Sequence, residues 1–383
     1  MKVLYYSTLA FTDCDFPLIR EFQNQGVQCK YMVSLPCTKL SGALFKINKQ
    51  KRTSTILNGK EYAEFNAYKN YLDLSDVFIV NRTKKGIHPL NILLYIKLIF
   101  FILRFNPDVI HVTHPLWGPE LLLYLFASKM TLTVHDPFLH SGEGDKTEHR
   151  ARKLAFLLCK KLVLLNDKQK DEFISKYRIN KNKIFVNSLG IYDCLRVSLK
   201  NKKILFQEHN YILMFGRISP YKGIDVLCEA MQIVQKQCPN VNCLIVGSGK
   251  MYFDFSPYCN NKNIKLINRY IPTEELVEMI KGSIFTVCPY KDATQSGVIY
   301  SSFALYKPVV ASNVGALGDA VKNGVTGLLI QPNNPIDLAN AIIKMIKKPS
   351  MVSLMEKNIQ DFYENGNNSW KSITNKYIKI YNA

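Results

Sequence analysis

The sequence lacks the features that usually mark metal-binding, disordered or fibrous chains. Its ten cysteines are scattered and no C-x-x-C pair occurs, which argues against zinc-ribbon and thioredoxin-like folds. No low-complexity segment or internal repeat is present, and 47% hydrophobic and 21% charged residues are ordinary values for a globular protein. Disorder, collagen and coiled coil are therefore excluded as the main architecture. Free thiols in apolar runs indicate a reducing compartment.

Long apolar runs are also missing. The most apolar stretch is residues 91–105, which Lys97 and Arg104 interrupt, whereas a membrane-spanning helix needs roughly 20 apolar residues. We expect a buried helix of an α/β domain here, with partial docking on a membrane as the alternative. The first residues form too short an apolar run for a signal peptide. We therefore expect a cytoplasmic protein, peripheral on the inner face of the cytoplasmic membrane if it docks.

Acidic residues are scarce relative to basic ones. The chain has 30 Asp and Glu against 50 Lys and Arg, a net charge of +20. Residues 1–200 hold 30 basic and 17 acidic residues, a net of +13, and residues 201–383 hold 20 and 13, a net of +7. This excess fits an anionic membrane surface or phosphorylated substrates, or a lysine-rich background. Stacked-aromatic and recognition-helix patterns are missing, so no nucleic-acid partner is expected.

Short apolar runs recur at the spacing of α/β proteins and do not alternate with polar residues, as in parallel strands buried on both faces. Helical patterns lie between them, for example at 16–24, 119–128 and 223–236. The predicted strands are 2–6, 27–33, 77–80, 109–112, 130–134, 162–165, 184–186, 212–215, 242–246, 284–288 and 308–311.

The strand–helix rhythm restarts after the polar stretch 199–210, which indicates two domains. We expect an α/β fold with two doubly wound Rossmann-like domains, residues 1–200 and 201–365, facing a central cleft. Residues 366–383 are predicted to form a C-terminal helix that packs back on the N-terminal domain.

Two strand-to-helix turns of the second half carry residues suited to an anion. The turn at 216–223 holds Arg217 and Lys222 between glycines, which favours a diphosphate site, although a solvated basic loop would look the same. The turn at 288–299 places small polar residues and a glycine before a helix, where free amides face an anion; an ordinary helix cap is the alternative.

Four blocks, 215–223, 245–249, 307–311 and 323–329, resemble glycosyltransferase family 4 in order and spacing over residues 211–345. That family has the GT-B fold and is retaining. The resemblance implies transfer of a sugar from a nucleotide diphosphate sugar to a glycan or lipid-linked glycan acceptor, in bacterial surface polysaccharide synthesis. It implies no cofactor and no required metal.

The resemblance also implies roles for particular residues. Arg217 and Lys222 would bind the donor diphosphate. The two glutamates of the family's E-x7-E motif fall on Ala293 and Ser301, so both carboxylates are replaced, and Asp292 is a partial substitute for the first. A T-Q-S-G-V loop stands there instead. The predicted donor-binding residues are Gly216, Arg217, Lys222, Gln295, Ser296, Gly297 and Val298.

On the acceptor side, the resemblance assigns the histidine at the end of strand 130–134, His135, as the catalytic residue facing the donor sugar. His140 and Glu143 are weaker candidates for acceptor contacts, and we expect His111 and His114 to be structural. Asp13 and Asp15 form a D-x-D pair, which binds metal in GT-A enzymes. Because this pair follows the first strand, we expect it to line a loop and predict no metal site.

Two other functions remain open. A sugar-nucleotide epimerase of the GT-B fold would share the architecture but should carry several acidic residues in the central loop. A non-catalytic GT-B subunit of a glycosyltransferase complex would explain the missing glutamates.

Overall fold

The computed structural model describes residues 1–138, 146–200, 210–293 and 296–383. Within these ranges the strands are β1 Lys2–Thr8, β2 Gln28–Pro36, β3 Thr55–Asn58, β4 Val77–Arg82, β5 Val109–Val112, β6 Met130–Val134, β7 Lys161–Leu164, β8 Ile184–Val186, β9 Tyr211–Phe215, β10 Asn242–Gly247, β11 Ile264–Asn268, β12 Thr286–Cys288, β13 Val309–Ser312 and β14 Gly327–Ile330.

The α-helices in the same ranges are α1 Thr12–Asn24, α2 Ala63–Asn66, α3 Pro89–Phe105, α4 Lys146–Leu158, α5 Lys170–Tyr177, α6 Ile224–Gln237, α7 Ser256–Cys259, α8 Thr273–Gly282, α9 Gly297–Ala304, α10 Leu317–Ala320, α11 Pro335–Lys347, α12 Pro349–Glu364 and α13 Trp370–Asn382. A 3-10 segment, Gly118–Lys129, stands where the sequence predicted a helix over 119–128.

The described chain divides into two compact units. The first is Met1–Gly190 with Trp370–Ala383, and the second is Ile191–Ser369. The sequence-based boundary lies after residue 200 instead. Residues 193–200 belong to the second unit because Arg196 donates from Nε to the Ala304 carbonyl (2.6 Å) and from Nη1 to Glu364 (2.7 Å).

The first unit is an eight-stranded sheet in the order β3-β4-β2-β1-β5-β6-β7-β8. Its strand pairs are parallel except β3–β4, which is antiparallel. Because side chains alternate across a strand, Ile110 and Val112 pack on one face with α3, α4 and α5, whereas His111 points to the other. On that second face, α13 packs against α1 through Tyr381 and Phe22.

The second unit is a parallel sheet in the order β11-β10-β9-β12-β13-β14. The helices α6, α11 and α12 share one apolar cluster with its inward-facing residues. On the other face, α8 receives a hydrogen bond from Tyr211 of β9, whose hydroxyl lies 2.6 Å from the Met279 carbonyl. The doubly wound α/β prediction is confirmed for both units.

The helix α3 differs from the expectation of a buried helix. It begins with Pro89 behind a His88 side chain that accepts from the Leu90 amide, and it ends at Asn106 in the left-handed region (φ 47°). Its inner face is buried, but Phe100 is 65% and Leu103 is 57% exposed. No helix in the described part of the chain is long and apolar enough to cross a bilayer.

Candidate functional site

In each sheet, the strand order reverses at one position, and open α/β sheets bind ligands there, beyond the carboxyl ends of the strands. In the second unit, β9 lies beside β12, with later strands continuing outward on both sides. The predicted donor residues lie in the strand-to-helix segments that follow these two strands. The turn 216–223 comes after β9, and Ser296, Gly297 and Val298 lie between β12 and the first turn of α9.

The backbones of the two turns are in contact. Gly223 has φ +67°, and a β-carbon there would lie 2.0 Å from the Pro289 carbonyl oxygen, so only glycine fits. The amide of Lys291 donates to the Tyr221 carbonyl at 2.7 Å. These contacts hold the turn after β9, residues 216–223, against the turn after β12.

Lys222 lies between these two turns. It is 7% exposed, and its Nζ donates to the Tyr290 hydroxyl at 2.5 Å, 3.9 Å from the centroid of the same ring. Burial lowers the pKa of Lys222 to about 8, with Cys288 acting against this and Arg217 adding to it. The ammonium is therefore charged at neutral pH but poorly hydrated, which favours an anionic partner.

Three further predicted residues lie around Lys222, in contact with it or with its neighbours. A β-carbon on Gly216 would lie 3.6 Å from Val298 Cγ2 and 3.9 Å from Lys222 Nζ. Ser296 donates from Oγ to the Tyr290 hydroxyl at 3.2 Å, so it is linked to Lys222 through this ring. The Ser296 hydroxyl therefore does not cap α9, which begins at the next residue, and accepts no hydrogen bond from its first amides.

The remaining donor-side predictions are more dispersed. Arg217 is exposed but close enough to Lys222 to influence its pKa. Ala293, where the first family glutamate would stand, is buried, and Asp292 is exposed. Gln295 lies outside the described residues. Tyr290, which contacts both Lys222 and Ser296, was not singled out from the sequence.

On the acceptor side, His135 directly follows β6, as predicted. Its ring stacks on Phe11 with centroids 4.2 Å apart and an angle of 16° between the planes. Burial lowers the pKa of His135 to about 4, opposed by Asp136 and reinforced by His114. The imidazole is therefore neutral at pH 7. Its buried Nε2 has no hydrogen-bond partner among the described residues.

The other acceptor-side predictions have different outcomes. His140 and Glu143 lie outside the described residues. His111 is fully buried, with Nδ1 2.5 Å from the Tyr381 hydroxyl and Nε2 2.8 Å from Thr133 Oγ1. These contacts tie α13 to the sheet, which is a structural role.

The D-x-D pair lies in the first turn of α1. Asp15 is fully buried and accepts hydrogen bonds from Tyr5 (2.9 Å) and Tyr31 (3.0 Å), and burial raises its pKa to about 7. Burial likewise raises the pKa of Asp13 to about 7. Among the described residues, no cluster of three or more metal-ligating side chains is found. Asp15 is thus held by tyrosine hydroxyls.

A cavity of about 590 Å³ lies at the carboxyl edge of the first sheet. Its lining residues lie at or just after the carboxyl ends of β1, β2, β4 and β5, in the segment Gly118–Lys129 and in α4. The cavity thus surrounds the position where β1 and β5 meet and the strand order reverses. Phe11, which stacks on His135, is part of its wall. Its polar lining includes Arg82, His114 and Glu120, none of which was predicted to be functional.

Glu120 is the most deeply buried of these groups, at 1% exposure. Its Oε1 accepts from Ser34 (2.9 Å), Tyr6 (3.0 Å) and Tyr95 (3.3 Å). Burial acts to raise the pKa of Glu120, but His114, then Arg82 and Ser34, outweigh it and lower the pKa to about 2. The Glu120 carboxyl is therefore ionised at neutral pH. In the sequence, Glu120 is distinguished only by being a glutamate within the apolar segment 119–128.

Comparisons with known proteins agree with this architecture. The family model for glycosyltransferase family 4 matches residues 57–193, and the model for glycosyl transferases group 1 matches residues 196–365. An uncharacterized glycosyltransferase of Methanocaldococcus jannaschii is 28% identical over 235 residues, which is 57% of this chain and 65% of that protein. The chain thus spans slightly less than two thirds of this relative.

Solved structures show the same fold. HepE of Anabaena, crystallised in complex with UDP, aligns over 99% of both chains with a TM-score of 0.64 and 16% identity. A UDP-GlcNAc 2-epimerase of Neisseria meningitidis, bound to UDP-GlcNAc, aligns over 99% of both chains with a TM-score of 0.57 and 15% identity. The chain is therefore built from a glycosyltransferase family 4 domain followed by a glycosyl transferases group 1 domain, in the GT-B glycosyltransferase fold.

Proposed function

We propose that this protein is a retaining glycosyltransferase that takes its sugar from a nucleotide diphosphate sugar, without a metal. Lys222 is the observation that carries the proposal. A buried, charged ammonium beside Arg217, at the position where the strand order reverses, is suited to a diphosphate. The first amides of α9 add donors at the same sheet edge. HepE, with the same fold, was crystallised with UDP.

The donor proposal is tested by calorimetric titration of the full chain with UDP, GDP and ADP in EDTA. Arg217→Ala should weaken the binding of the preferred nucleotide about 10–150-fold, since a charge-assisted hydrogen bond contributes about 1.5–3 kcal/mol. Lys236→Ala is the matched control. Lys236 is an exposed cation at the carboxyl end of α6, which runs back toward the amino edge of the sheet. Equal affinities for both variants would contradict the proposal.

The acceptor in this proposal is a glycan or lipid-linked glycan of a bacterial surface polysaccharide, as the family resemblance implies. His135 would act beside the donor sugar as a neutral imidazole that hydrogen-bonds a hydroxyl. Retention is checked by the anomeric configuration of the product in proton NMR. An inverted product would contradict this part of the proposal.

The epimerase alternative shares the fold with the Neisseria enzyme. In the described part of the β12 turn, residues 289–293 and 296, Asp292 is the sole carboxylate, which disfavours epimerisation by paired acidic groups. Incubation with UDP-sugars and an acceptor mixture separates the functions. Transfer or slow hydrolysis supports a transferase, a new UDP-sugar supports an epimerase, and an unchanged donor supports a non-catalytic subunit.

We also propose that the outer face of α3 rests on an anionic membrane, where a lipid-linked acceptor would be met. This face exposes Leu93, Ile96, Phe100 and Leu103 at helical spacing. Exposed cations flank it, at Lys84, Lys85, Lys97 and Arg104. An apolar stripe with basic neighbours is the pattern of a helix lying in the interface, and each cation contributes about 1 kcal/mol near anionic lipid.

Liposome co-sedimentation tests this surface. Leu103→Ser should reduce binding to phosphatidylglycerol vesicles, and high salt should weaken the wild type as screening removes the charge attraction. Leu354→Ser is a matched control, because Leu354 of α12 is 57% exposed, like Leu103. Recovery of the wild-type protein in the supernatant with both anionic and neutral vesicles at low salt would contradict the proposal.

A further inference from the structure

We propose that Tyr290 is a positioning residue of the donor site, whose ring and hydroxyl hold the Lys222 ammonium, still charged, where the diphosphate would bind. This inference rests on the proposed function, because it assigns the residue that prepares this cation for its ligand. Tyr290 is fully buried, so it acts through Lys222 and does not touch the donor itself.

Two aromatic rings surround the Lys222 ammonium. Its Nζ lies 3.9 Å from the centroid of the Tyr290 ring and 5.1 Å from that of Tyr221. The two rings are nearly perpendicular, with 85° between their planes and 6.0 Å between their centroids. Both lie within the distance of about 6 Å at which a ring face attracts a cation. Because Nζ also donates to the Tyr290 hydroxyl at 2.5 Å, this one side chain contacts the ammonium through its ring and through its oxygen.

The Tyr290 hydroxyl is oriented so that its oxygen accepts from Lys222. A phenol has one proton to donate, and a hydrogen bond joins this hydroxyl to the Cys288 side chain. Burial raises the pKa of Tyr290 well above its usual range, so the proton stays on the oxygen. Ser296 Oγ and Lys222 Nζ both donate to this oxygen, at 3.2 and 2.5 Å. With its proton directed to Cys288, the oxygen is a fixed acceptor for the ammonium.

The charge of Lys222 is not neutralised by a carboxylate. Among the residues that the structure describes, no acidic side chain forms an ion pair with it, and Asp225 of the neighbouring first turn of α6 pairs with Lys291 at 2.5 Å instead. The titratable groups around Lys222 in the same part of the chain are Arg217, Tyr221, Cys288 and Tyr290. A buried ammonium without a counter-ion loses its proton readily, and a hydrogen bond to the charged form opposes that loss. Tyr290 therefore stabilises the ammonium as a carboxylate would, but leaves its positive charge available to an anion.

The ammonium can keep this hydrogen bond while it binds a ligand. An ammonium has three N–H donors, and the bond to Tyr290 uses one of them. Gly216, with φ +121°, places no side chain over Lys222, and a β-carbon there would lie 3.9 Å from Nζ. A glycine at this point lets a ligand approach closely. The remaining N–H groups can therefore meet phosphate oxygens without displacing Tyr290.

The test measures the pKa of Lys222 and the nucleotide affinity of the full chain in the same variants. Tyr290→Phe keeps the buried ring and removes only the hydroxyl. Tyr211→Phe is the matched control, because Tyr211 is also fully buried and its hydroxyl donates to the Met279 carbonyl at 2.6 Å. Tyr211 is the first residue of β9, at the amino edge of the same sheet. The pKa is read by NMR of isotope-labelled lysine ε-carbons, with the Lys222 signal identified by its loss in Lys222→Met.

We expect wild-type Lys222 to titrate at about pH 8. Loss of a hydrogen bond to the charged form should lower its proton affinity about tenfold, so its pKa should fall by about one unit in Tyr290→Phe and stay unchanged in Tyr211→Phe. The tightest-binding nucleotide among UDP, GDP and ADP should then bind Tyr290→Phe about twofold more weakly than the wild type at pH 7, and about tenfold more weakly at pH 9. In a Lys222→Met background, Tyr290→Phe should leave the affinity unchanged.

The outcomes separate this inference from the proposed function. An equal Lys222 pKa in wild type and Tyr290→Phe would overturn the inference, whether or not a nucleotide binds. A wild-type pKa near 10.5 would overturn it without any variant. So would a difference in affinity between wild type and Tyr290→Phe that stays constant from pH 7 to 9. If the pKa shifts as expected but no nucleotide binds the wild type, the result confirms the coupling of Tyr290 to Lys222 and contradicts the proposed function.

Discussion

Replacing Lys222 with methionine should strengthen the folded protein and weaken nucleotide binding. Methionine keeps the apolar stem but removes the charge. A fall in pKa from 10.5 to about 8 corresponds to about 3 kcal/mol against the buried ammonium. The lost hydrogen bond to Tyr290 offsets about 1 kcal/mol of this. The net gain is about 2 kcal/mol, or about 4–8 °C in the Tm of a unit of this size.

The binding side of the prediction has the opposite sign. Without the ammonium, the affinity for the preferred nucleoside diphosphate should fall about 10–150-fold. A lysine kept for structure would behave differently, because Lys222→Met would then lower the Tm. The two roles are therefore distinguished by measuring calorimetric Kd and Tm on the same samples.

The pH dependence gives a second, independent measurement. In the free protein, Lys222 loses its proton as pH rises through about 8. Wild-type affinity should therefore decline above pH 8, approaching tenfold per pH unit, whereas Lys222→Met should show no decline between pH 7.5 and 9.5. Burial of the charged lysine lowers the free energy of unfolding most below pH 8, and this loss decreases to zero as pH rises to 10.5. The amount by which Lys222→Met raises the Tm should therefore decrease between pH 8 and 10.5. A variant with unchanged affinity and a lower Tm would refute the reasoning.

Three other predictions follow from the pKa values and contacts of the first unit. His135→Ala should lower kcat strongly and leave UDP affinity within about twofold, and an undiminished kcat in this variant would contradict the role of His135. In the wild type, the rate should show no imidazole titration between pH 6 and 7, since His135 has a pKa of about 4. Asp15→Asn should flatten the pH dependence of the Tm between pH 4 and 7. The reason is that a carboxyl whose pKa in the folded protein is raised to about 7 contributes stability below pH 4, and this stability is lost as pH rises to 7. The same dependence of Tm on pH in variant and wild type would refute this prediction. Transfer should survive EDTA, and a loss that Mn²⁺ restores would instead assign a metal to Asp13 and the neighbouring loop.

Much of the fold follows from local sequence patterns. Strands buried on both faces are short, mostly apolar runs without Asp, Glu, Lys or Arg, and for this reason 109–112, 130–134 and 184–186 were predicted with the bounds that the structure shows. The polar residues within them, His111, Thr131 and Thr133, are buried. The strands missed were β3, β11 and β14. All residues of β3 are only partly buried, and in β11 Lys265 and Asn268 are exposed, so polar side chains break the apolar run. The strand β14 is four residues long and begins with glycine.

The two candidate sites differ in how visible they are in the sequence. The donor-side residues belong to two turns, each bounded by a strand and a helix, so their chemistry is concentrated in short segments. The cavity of the first unit combines Arg82 at the end of β4, His114 after β5 and Glu120 from a 3-10 segment. Each looks ordinary alone, since an arginine, a histidine and a glutamate among apolar residues are common. Only the strand order, which places β4, β2, β1 and β5 side by side, brings them together.

The same topological rule therefore yields two chemically different sites. Each sheet reverses its strand order once, at β1–β5 and at β9–β12, and each reversal opens a space beyond the strand ends. The β9–β12 turns carry Lys222, Arg217 and helix amides, which suit a diphosphate. The β1–β5 cavity is lined by two cations and two anions, Lys39, Arg82, Glu120 and Glu148, so it lacks the cationic excess of the β9–β12 turns. This difference predicts that inorganic phosphate competes with UDP at the second unit, and a UDP affinity that stays unchanged in high phosphate would contradict it.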